Sequence, residues 1–384
     1  MGSEANASRL VHLEGPPFER GATYGRTLKA EISELVARWK QHLAGTTGMA
    51  ADEFIPRFLS RTDYLTAIKR YTPDLLDEVR GIAAGSGVDE DTMFTFQLLD
   101  ELILNAKGVA AHCSAVGVDR TADKPTLLGQ NWDIEGYVHG FQTVLHISDE
   151  RADAESFVFA YAGLIAAFGV NSHGVGVCLN SMPILSHARE GLPVAYVIRG
   201  MLAAHTREEA VRFVTSVQHA SPQNYLIGDP AKVVDLECSS SEVEPLPANG
   251  AAGVVFHTNH PLENDDYSAE YLAVLLERER GERTDEDFHA AVEFVEADSG
   301  TRLEGLRQQL DSLPAEGVTV ERIKAILASH VSPEHPICMD LGGDDKLTSI
   351  VSTVMELSDD PRFHVAFGPP DVTPYTTYSF SDGD

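Results

Sequence analysis

The apolar residues of this chain change their period at Cys113, and that change restricts the folds open to it. Upstream, Leu28, Ile32, Leu35, Val36, Trp39 and Leu43 recur at three- and four-residue spacing and stop at Gly45, the stripe of an amphipathic helix. Thr72-Pro73 offers a capping hydroxyl ahead of a proline at the first helical position, and Leu75, Leu76, Val79 and Ile82 carry a second stripe. A third runs from Asp91 through Ile103, so the segment from Arg20 to about Ala111 reads as helical. Beyond Cys113 the pattern breaks into short strand-like runs at 126–128, 143–147, 157–159 and 175–178, separated by Gly and Asp.

Two helices are expected next, at 193–205 and from Thr206-Arg207-Glu208-Glu209, which fits a T-x-x-E capping box. Strand-like runs resume at 223–227, 232–237 and 253–256, residues 267–329 return to helix, and 347–357 and 363–367 close the pattern as strands. Grouped strands with helices between and after them predict an α+β fold of antiparallel sheets covered by helices, not a doubly wound parallel sheet. At 384 residues and 43% hydrophobic content a sizeable core can form. The chain is read as a helical segment, 1–112, and a strand-rich unit, 113–384, in one globular body.

Twenty-nine Lys and Arg stand against 59 Asp and Glu, a formal charge of -30 that disfavours nucleic acid and anionic membrane as partners. The four cysteines, 113, 178, 238 and 338, lie far apart without a C-x-x-C pair, which argues against a disulfide framework or a thiolate zinc site and for a reducing compartment. The first fifteen residues have neither the charged start nor the apolar run of a signal peptide, and no stretch approaches 18 apolar residues, so a cytoplasmic location is expected. Asn6 stands where a myristoylation start needs Ser or Thr.

There is no G-x-S-x-G elbow, no phosphate-binding G-x-x-x-x-G-K-[ST], no H-E-x-x-H and no dinucleotide fingerprint. What stands out is a cysteine at the junction itself, in His112-Cys113-Ser114-Ala115-Val116-Gly117. A buried cysteine is more often a small hydrophobe, the reading adopted for Cys178 and Cys238.

Five further segments accompany Cys113-Ser114 in order: Gly21-Ala22-Thr23-Tyr24-Gly25, Gly129-Gln130-Asn131-Trp132-Asp133, Asn171-Ser172 with Gly174-Val175, Phe256-His257-Thr258-Asn259-His260, and Ile337-Cys338 with Phe367-Gly368-Pro369-Pro370 near the end. Together they resemble the cysteine N-terminal nucleophile hydrolases of peptidase family C45, related to acyl-coenzyme A:6-aminopenicillanic acid acyltransferase, over most of the chain. The resemblance implies a four-layer αββα sandwich. It also implies Cys113 as nucleophile after autocleavage of the His112-Cys113 bond, Asp133 as the carboxylate that orients the new α-amine, and Asn259 as oxyanion donor. Asn180 matches a family asparagine and is read as a pocket residue that binds substrate.

The chemistry is coherent on its own terms. A thiol with a pKa near ~8.5 needs a base at neutral pH, and an α-amine near about 7.7–8.0 can serve. Thiol attack on the His112 carbonyl would form a thioester whose hydrolysis frees that amine, leaving chains of 1–112 and 113–384. Two departures from the family pattern stand out. His112 replaces a glycine, and Met339 replaces an arginine of the active site, with Lys346 the candidate substitute for its charge.

The bland readings are that Asp133 and Asn259 are turn formers, that His257 and His260 make structural hydrogen bonds, and that Glu263-Asn264-Asp265-Asp266 is a solvated loop. No metal and no cofactor is expected. The leading expectation is hydrolysis of a small N-acylated amide through an acyl-Cys113 thioester, with acyl transfer between coenzyme A or amide donors and an amine as the alternative. A catalytically silent binding protein is the second alternative.

Overall fold

A computed structural model describes residues 10–105, 112–251, 253–281, 286–311, 313 and 315–381. A strand β1 (Leu10–Leu13) precedes the helices α1 (Pro17–Thr27), α2 (Lys29–Thr47), α3 (Ala51–Leu59), α4 (Tyr64–Tyr71), α5 (Pro73–Ser86), α6 (Glu90–Phe96) and α7 (Leu99–Asn105). Then come β2 (His112–Val118), β3 (Thr126–Glu135), β4 (Gln142–Asp149), β5 (Ala154–Tyr161), β6 (Phe168–Asn171) and β7 (Gly176–Ser181). Helices α8 (Val194–Leu202) and α9 (Arg207–Ser216) lead to β8 (Gln223–Gly228), β9 (Val233–Cys238), β10 (Val243–Leu246) and β11 (Val254–His257). The chain ends in α10 (Ala269–Arg280), α11 (Glu286–Leu310), α12 (Val320–Leu327), β12 (Leu347–Leu357), β13 (Arg362–Ala366) and β14 (Thr376–Ser379).

The periodicity located most of these elements, and local chemistry moved their ends. The first long helix ends at Gly48, in the left-handed region at φ 66°, and not at Gly45. Thr72 precedes Pro73 as expected, yet its hydroxyl makes no cap and is buried without a partner among the described residues. The stripe from Asp91 is two helices, the first capped by Asp89, whose carboxylate accepts from Thr92 N at 2.9 Å. The Thr206 cap forms as read, with Thr206 accepting from Glu209 N, but the return bond is shifted by one residue: Glu209 accepts from His205 N at 2.9 Å and not from Thr206 N.

Two sheets result. One has the order β1-β4-β5-β6-β7-β8-β9-β10 and the other β11-β2-β3-β12-β13-β14. Neighbours are antiparallel except β1 with β4, so the segment before Cys113 contributes a strand to the first sheet. The second sheet alternates faces along β2 and β3. Val116, Val118 and Leu127 pack with Leu303 and Leu306 of α11 and Ile323 and Leu327 of α12, while Ala115 and Leu128 join the core shared with the first sheet. Asn171 of β6 donates to the carbonyls of Leu202 and Ala204 at the end of α8, tying a helix to the first sheet. The result is a mixed α+β body. Each fully buried Leu, Ile or Val contributes about 1.5–3 kcal/mol to its core.

The motif Gly21-Ala22-Thr23-Tyr24-Gly25 is explained by packing. A Cβ at Gly21 would fall 1.9 Å from the Glu78 carbonyl oxygen, and one at Gly81 would fall 2.1 Å from that of Phe18, so only glycines let α1 and α5 cross this closely. Tyr24 Oη donates to the Tyr161 carbonyl at 3.1 Å and accepts from Gly163 N at 2.9 Å, pinning the helix pair to β5. Among the described residues no helix is long and apolar enough to cross a membrane.

Candidate active site

Cys113 is the second residue of β2, opposite Trp132 of β3, and His112 is opposite Asp133. Directly opposed residues share a face, so Cys113 and Trp132 point one way and His112 and Asp133 the other. Trp132 stacks on Tyr161 of β5, 6.0 Å between ring centroids, which fixes the thiol's side as the one between the sheets. Asp133 lies on the side of α11, and the backbone of the 112–113 bond runs between the two groups.

Asn259 follows β11 and closes this end of the site. Its Oδ1 accepts from Cys113 N at 2.8 Å and from Arg302 Nη2 at 2.9 Å, and its Nδ2 donates to the Ser181 carbonyl at 3.0 Å. Two obligate donors on one end and an obligate acceptor on the other leave the amide a single orientation. Arg302, buried on α11, also donates to the Cys113 carbonyl and, at 3.2 Å, to Ser114 Oγ. Asp298 holds it from one turn back, accepting from Nη2 at 2.6 Å and from Nε at 2.8 Å. Asn259 and Arg302 therefore grip the backbone of Cys113 by its nitrogen and its oxygen.

Arg302 is the cation of this site. Lys346, the candidate substitute for the arginine missing at Met339, is exposed in the turn before β12, whereas the guanidinium on Asn259 and the Cys113 carbonyl comes from α11. The Ile337-Cys338-Met339 segment serves differently: the Ile337 carbonyl accepts from Asn131 Nδ2 at 2.9 Å, and Met339 N donates to Ser349 Oγ at 2.9 Å. Ser349 in turn donates to Asp133 Oδ1 at 2.5 Å.

Burial pushes the Asp133 carboxyl up to about 7, against the opposing Ser349 hydrogen bond and Arg302 charge. Its Oδ2 is buried without a partner among the described residues. Burial, then the nearby Asp133 charge, pushes the Cys113 thiol far up, so in the intact chain it is a protonated thiol and not the activated thiolate. Burial lowers His112, whose Nδ1 sits 3.0 Å from Asp298 Oδ2. Burial would raise Asp298, but His112 and Arg302 outweigh it and hold its carboxyl low.

Asn180 is buried on β7. Its Nδ2 reaches the His257 carbonyl at 3.4 Å and its Oδ1 accepts from Asn224 Nδ2 at 3.3 Å, so the amide links the two sheets. Its neighbour Ser181 stands nearer the chemistry, offering its carbonyl to Asn259 and its Oγ to Asp100 Oδ2 at 2.5 Å. His257 bonds Glu237 and His260 bonds Ser299, each at 2.7 Å. The acidic run at 263–266 is not simply solvated: Asn264 is buried, and Glu237 accepts from the backbone of Leu262, Glu263 and Asn264.

Residues 120–371 match the family described as acyl-coenzyme A:6-aminopenicillanic acid acyl-transferase. The chain belongs to this family. Membership in the acyl-coenzyme A:6-aminopenicillanic acid acyl-transferase family places it among enzymes of acyl-group chemistry. Its 6-aminopenicillanic-acid acyltransferase relative from Emericella nidulans, in the 40 kDa form, is 24% identical over 69% of this chain and 72% of its own length. Two Dictyostelium discoideum proteins, dcd1B and dcd1A, are 24% and 25% identical over 52% and 53% of this chain. The match covers 44% and 51% of their lengths, so the chain spans about half of each.

Sequence reasoning missed Arg302, Asp298, Ser349, Ser181 and Asp100. An Asp and an Arg four apart on a helix look like any exposed pair. Nothing local in the sequence marks this pair as the one turned inward.

Proposed function

We propose that the chain is a cysteine N-terminal nucleophile enzyme of four-layer αββα architecture that cuts its own His112-Cys113 bond and then cleaves the amide of a small N-acylated amine. The observation that carries this reading is the double grip of Asn259 and Arg302 on the backbone of Cys113. In self-cleavage the Cys113 Sγ attacks the His112 carbonyl carbon, the C–N bond breaks, and the thiol proton passes to the departing Cys113 nitrogen. Water then hydrolyses the thioester, leaving a His112 carboxylate and a free thiol beside a free α-amine.

The amine stays within reach of Asn259 Oδ1, its acceptor in the intact chain, and supplies the unpartnered Asp133 Oδ2 with a donor. Asp133 sits across the strand from the thiol, which suits it to orient the amine and not to deprotonate Sγ directly. In turnover the amine takes the thiol proton as Sγ attacks the substrate carbonyl, and returns it to the leaving amine. The second N–H of Asn259 Nδ2 serves the oxyanion, and water releases the acyl group from Cys113.

Asp100 supports an amine-bearing substrate. It accepts from Ser181 Oγ and Gln223 Nε2, both at 2.5 Å, no cation pairs with it among the described residues, and burial pushes its carboxyl up against those two hydrogen bonds, a cost that a bound ammonium would relieve. Acyl transfer is the second reading, favoured by the acyltransferase name of the Emericella nidulans relative. The test of self-cleavage is intact mass with N-terminal sequencing: wild type yields a fragment starting at Cys113, and Cys113→Ala stays whole. Full activity in protein whose 112–113 bond is intact would overturn the α-amine mechanism.

A further inference from the structure

We propose that His330, Cys338 and Asp371 form a zinc-class metal site that locks the loop behind Asp133. His330 lies just past α12, Cys338 in the loop that follows, and Asp371 in the turn after β13, so three separate segments converge. Their ligating atoms all lie within 4.8 Å of one another. Cys338 Sγ is 3.4 Å from Asp371 Oδ1, and His330 Nε2 is 3.3 Å from Asp371 Oδ2.

The thiol and the imidazole approach different oxygens of Asp371, and the three ligand atoms, all within 4.8 Å, need to close in only slightly to surround a tetrahedral metal. Bonds of about 2.3 Å to sulfur and about 2.0–2.1 Å to nitrogen and oxygen set neighbouring ligand atoms about 3.3–3.6 Å apart. Asp340 Oδ1, 4.0 Å from His330 Nε2 on an exposed side chain, can rotate in as the fourth ligand or leave that position to water. The donor set of thiolate, imidazole and carboxylate suits zinc or cobalt and not magnesium or calcium, which take oxygen alone. Without an ion, the side-chain contacts of the three groups with one another are, among the described residues, one weak S–H donor and one imidazole contact on a single carboxylate.

The position gives the site a role. Cys338 is flanked by Ile337, which is anchored to Asn131, and Met339, which is bonded to Ser349, the donor that holds Asp133. Cys338 N also donates to the Ser329 carbonyl at 3.0 Å, so an ion would clamp both sides of this loop. Sequence spacing did not suggest it, because the ligands are 8 and 33 residues apart.

The experiment uses the full-length chain stripped with a chelator and titrated with Co2+ alone. The expected result is a thiolate-to-cobalt charge-transfer band saturating at one ion per chain and displaced by Zn2+. Cys338→Ser loses the band, Asp371→Asn, an exposed and therefore fold-tolerant change, weakens Co2+ binding by about tenfold or more, and Cys113→Ala keeps the band. Zinc also slows alkylation of Cys338 in the wild type. No band in the wild type, a band that survives Cys338→Ser, or one that disappears in Cys113→Ala overturns the site.

Discussion

Asn259 allows its two duties to be separated by choice of substitution. Its Oδ1 accepts from Cys113 N and Arg302 Nη2 at 2.8 and 2.9 Å, while Nδ2 donates to Ser181 and carries the hydrogen assigned to the oxyanion. Asn259→Ala removes both ends. It strands two buried donors, at about 1–3 kcal/mol each, and also deletes the oxyanion donor, worth about 2.7–4 kcal/mol or 10²–10³ in kcat. Asn259→Asp keeps an oxygen for Cys113 N and Arg302 and gains a charge pair with the guanidinium, but has no N–H. The expectation is that Ala loses both stability, read as a lower denaturant midpoint, and kcat. Asp keeps the two donors paired but sets an oxygen against the Ser181 carbonyl, so its midpoint falls less than that of Ala, yet it loses the same 10²–10³ in kcat with KM little changed. Steady-state release of amine from an N-acyl amine, paired with urea unfolding, measures both. If Asn259→Asp keeps more than about a tenth of wild-type kcat, the donor assignment is wrong and the residue only holds the strand end.

Arg302→Met should leave Asp298 as an incompletely compensated buried carboxylate, costing about 3–5 kcal/mol, and pairing it with Asp298→Asn should recover part of that loss. A single-variant unfolding midpoint equal to wild type would contradict the buried pair. Asp133 is neutral below about 7 because its folded pKa is raised. A self-cleavage step that needs its charge therefore speeds up as pH rises through that value, while in the intact chain its contribution to stability declines over the interval from the ordinary carboxylate range to about 7. Asp133→Asn should abolish that limb of the rate profile, and an unchanged profile removes the residue from the mechanism. In cleaved protein iodoacetamide should label Cys113 ahead of Cys178 and Cys238, both fully buried, with activity falling in step; peptide mapping that finds either of those labelled first names the wrong nucleophile. Asp100→Asn should raise KM for substrates bearing an ammonium group by about tenfold or more and leave neutral ones unaffected, and equal losses for both would remove it as a recognition group.

Apolar spacing determined where helix gives way to strand, because a period near 3.6 or 2 is written in consecutive residues and survives any tertiary arrangement. Hence Cys113 at the head of β2 was legible from the change of period, whereas Asp133 in β3 and Asn259 after β11 were picked out by the family resemblance. The Thr206 cap was legible too, since both partners lie within four residues, whereas the Thr72 hydroxyl followed the same local rule and is buried without a partner among the described residues. Four short strands, β1, β6, β10 and β14, escaped notice, since they form by pairing with strands already present, whereas the equally short β11 was read from its continuous Val-Val-Phe run. The site's charges were decided by the tertiary structure alone. Arg302 reaches Cys113 from 189 residues away, Ser349 reaches Asp133 from 216, and the cation comes from α11 and not from Lys346, the expected substitute for the arginine missing at Met339. Sequence fixes which groups a segment offers; only packing decides which of them leave water together, and the resulting loss of solvation drives Asp133 and Cys113 away from their ordinary pKa values.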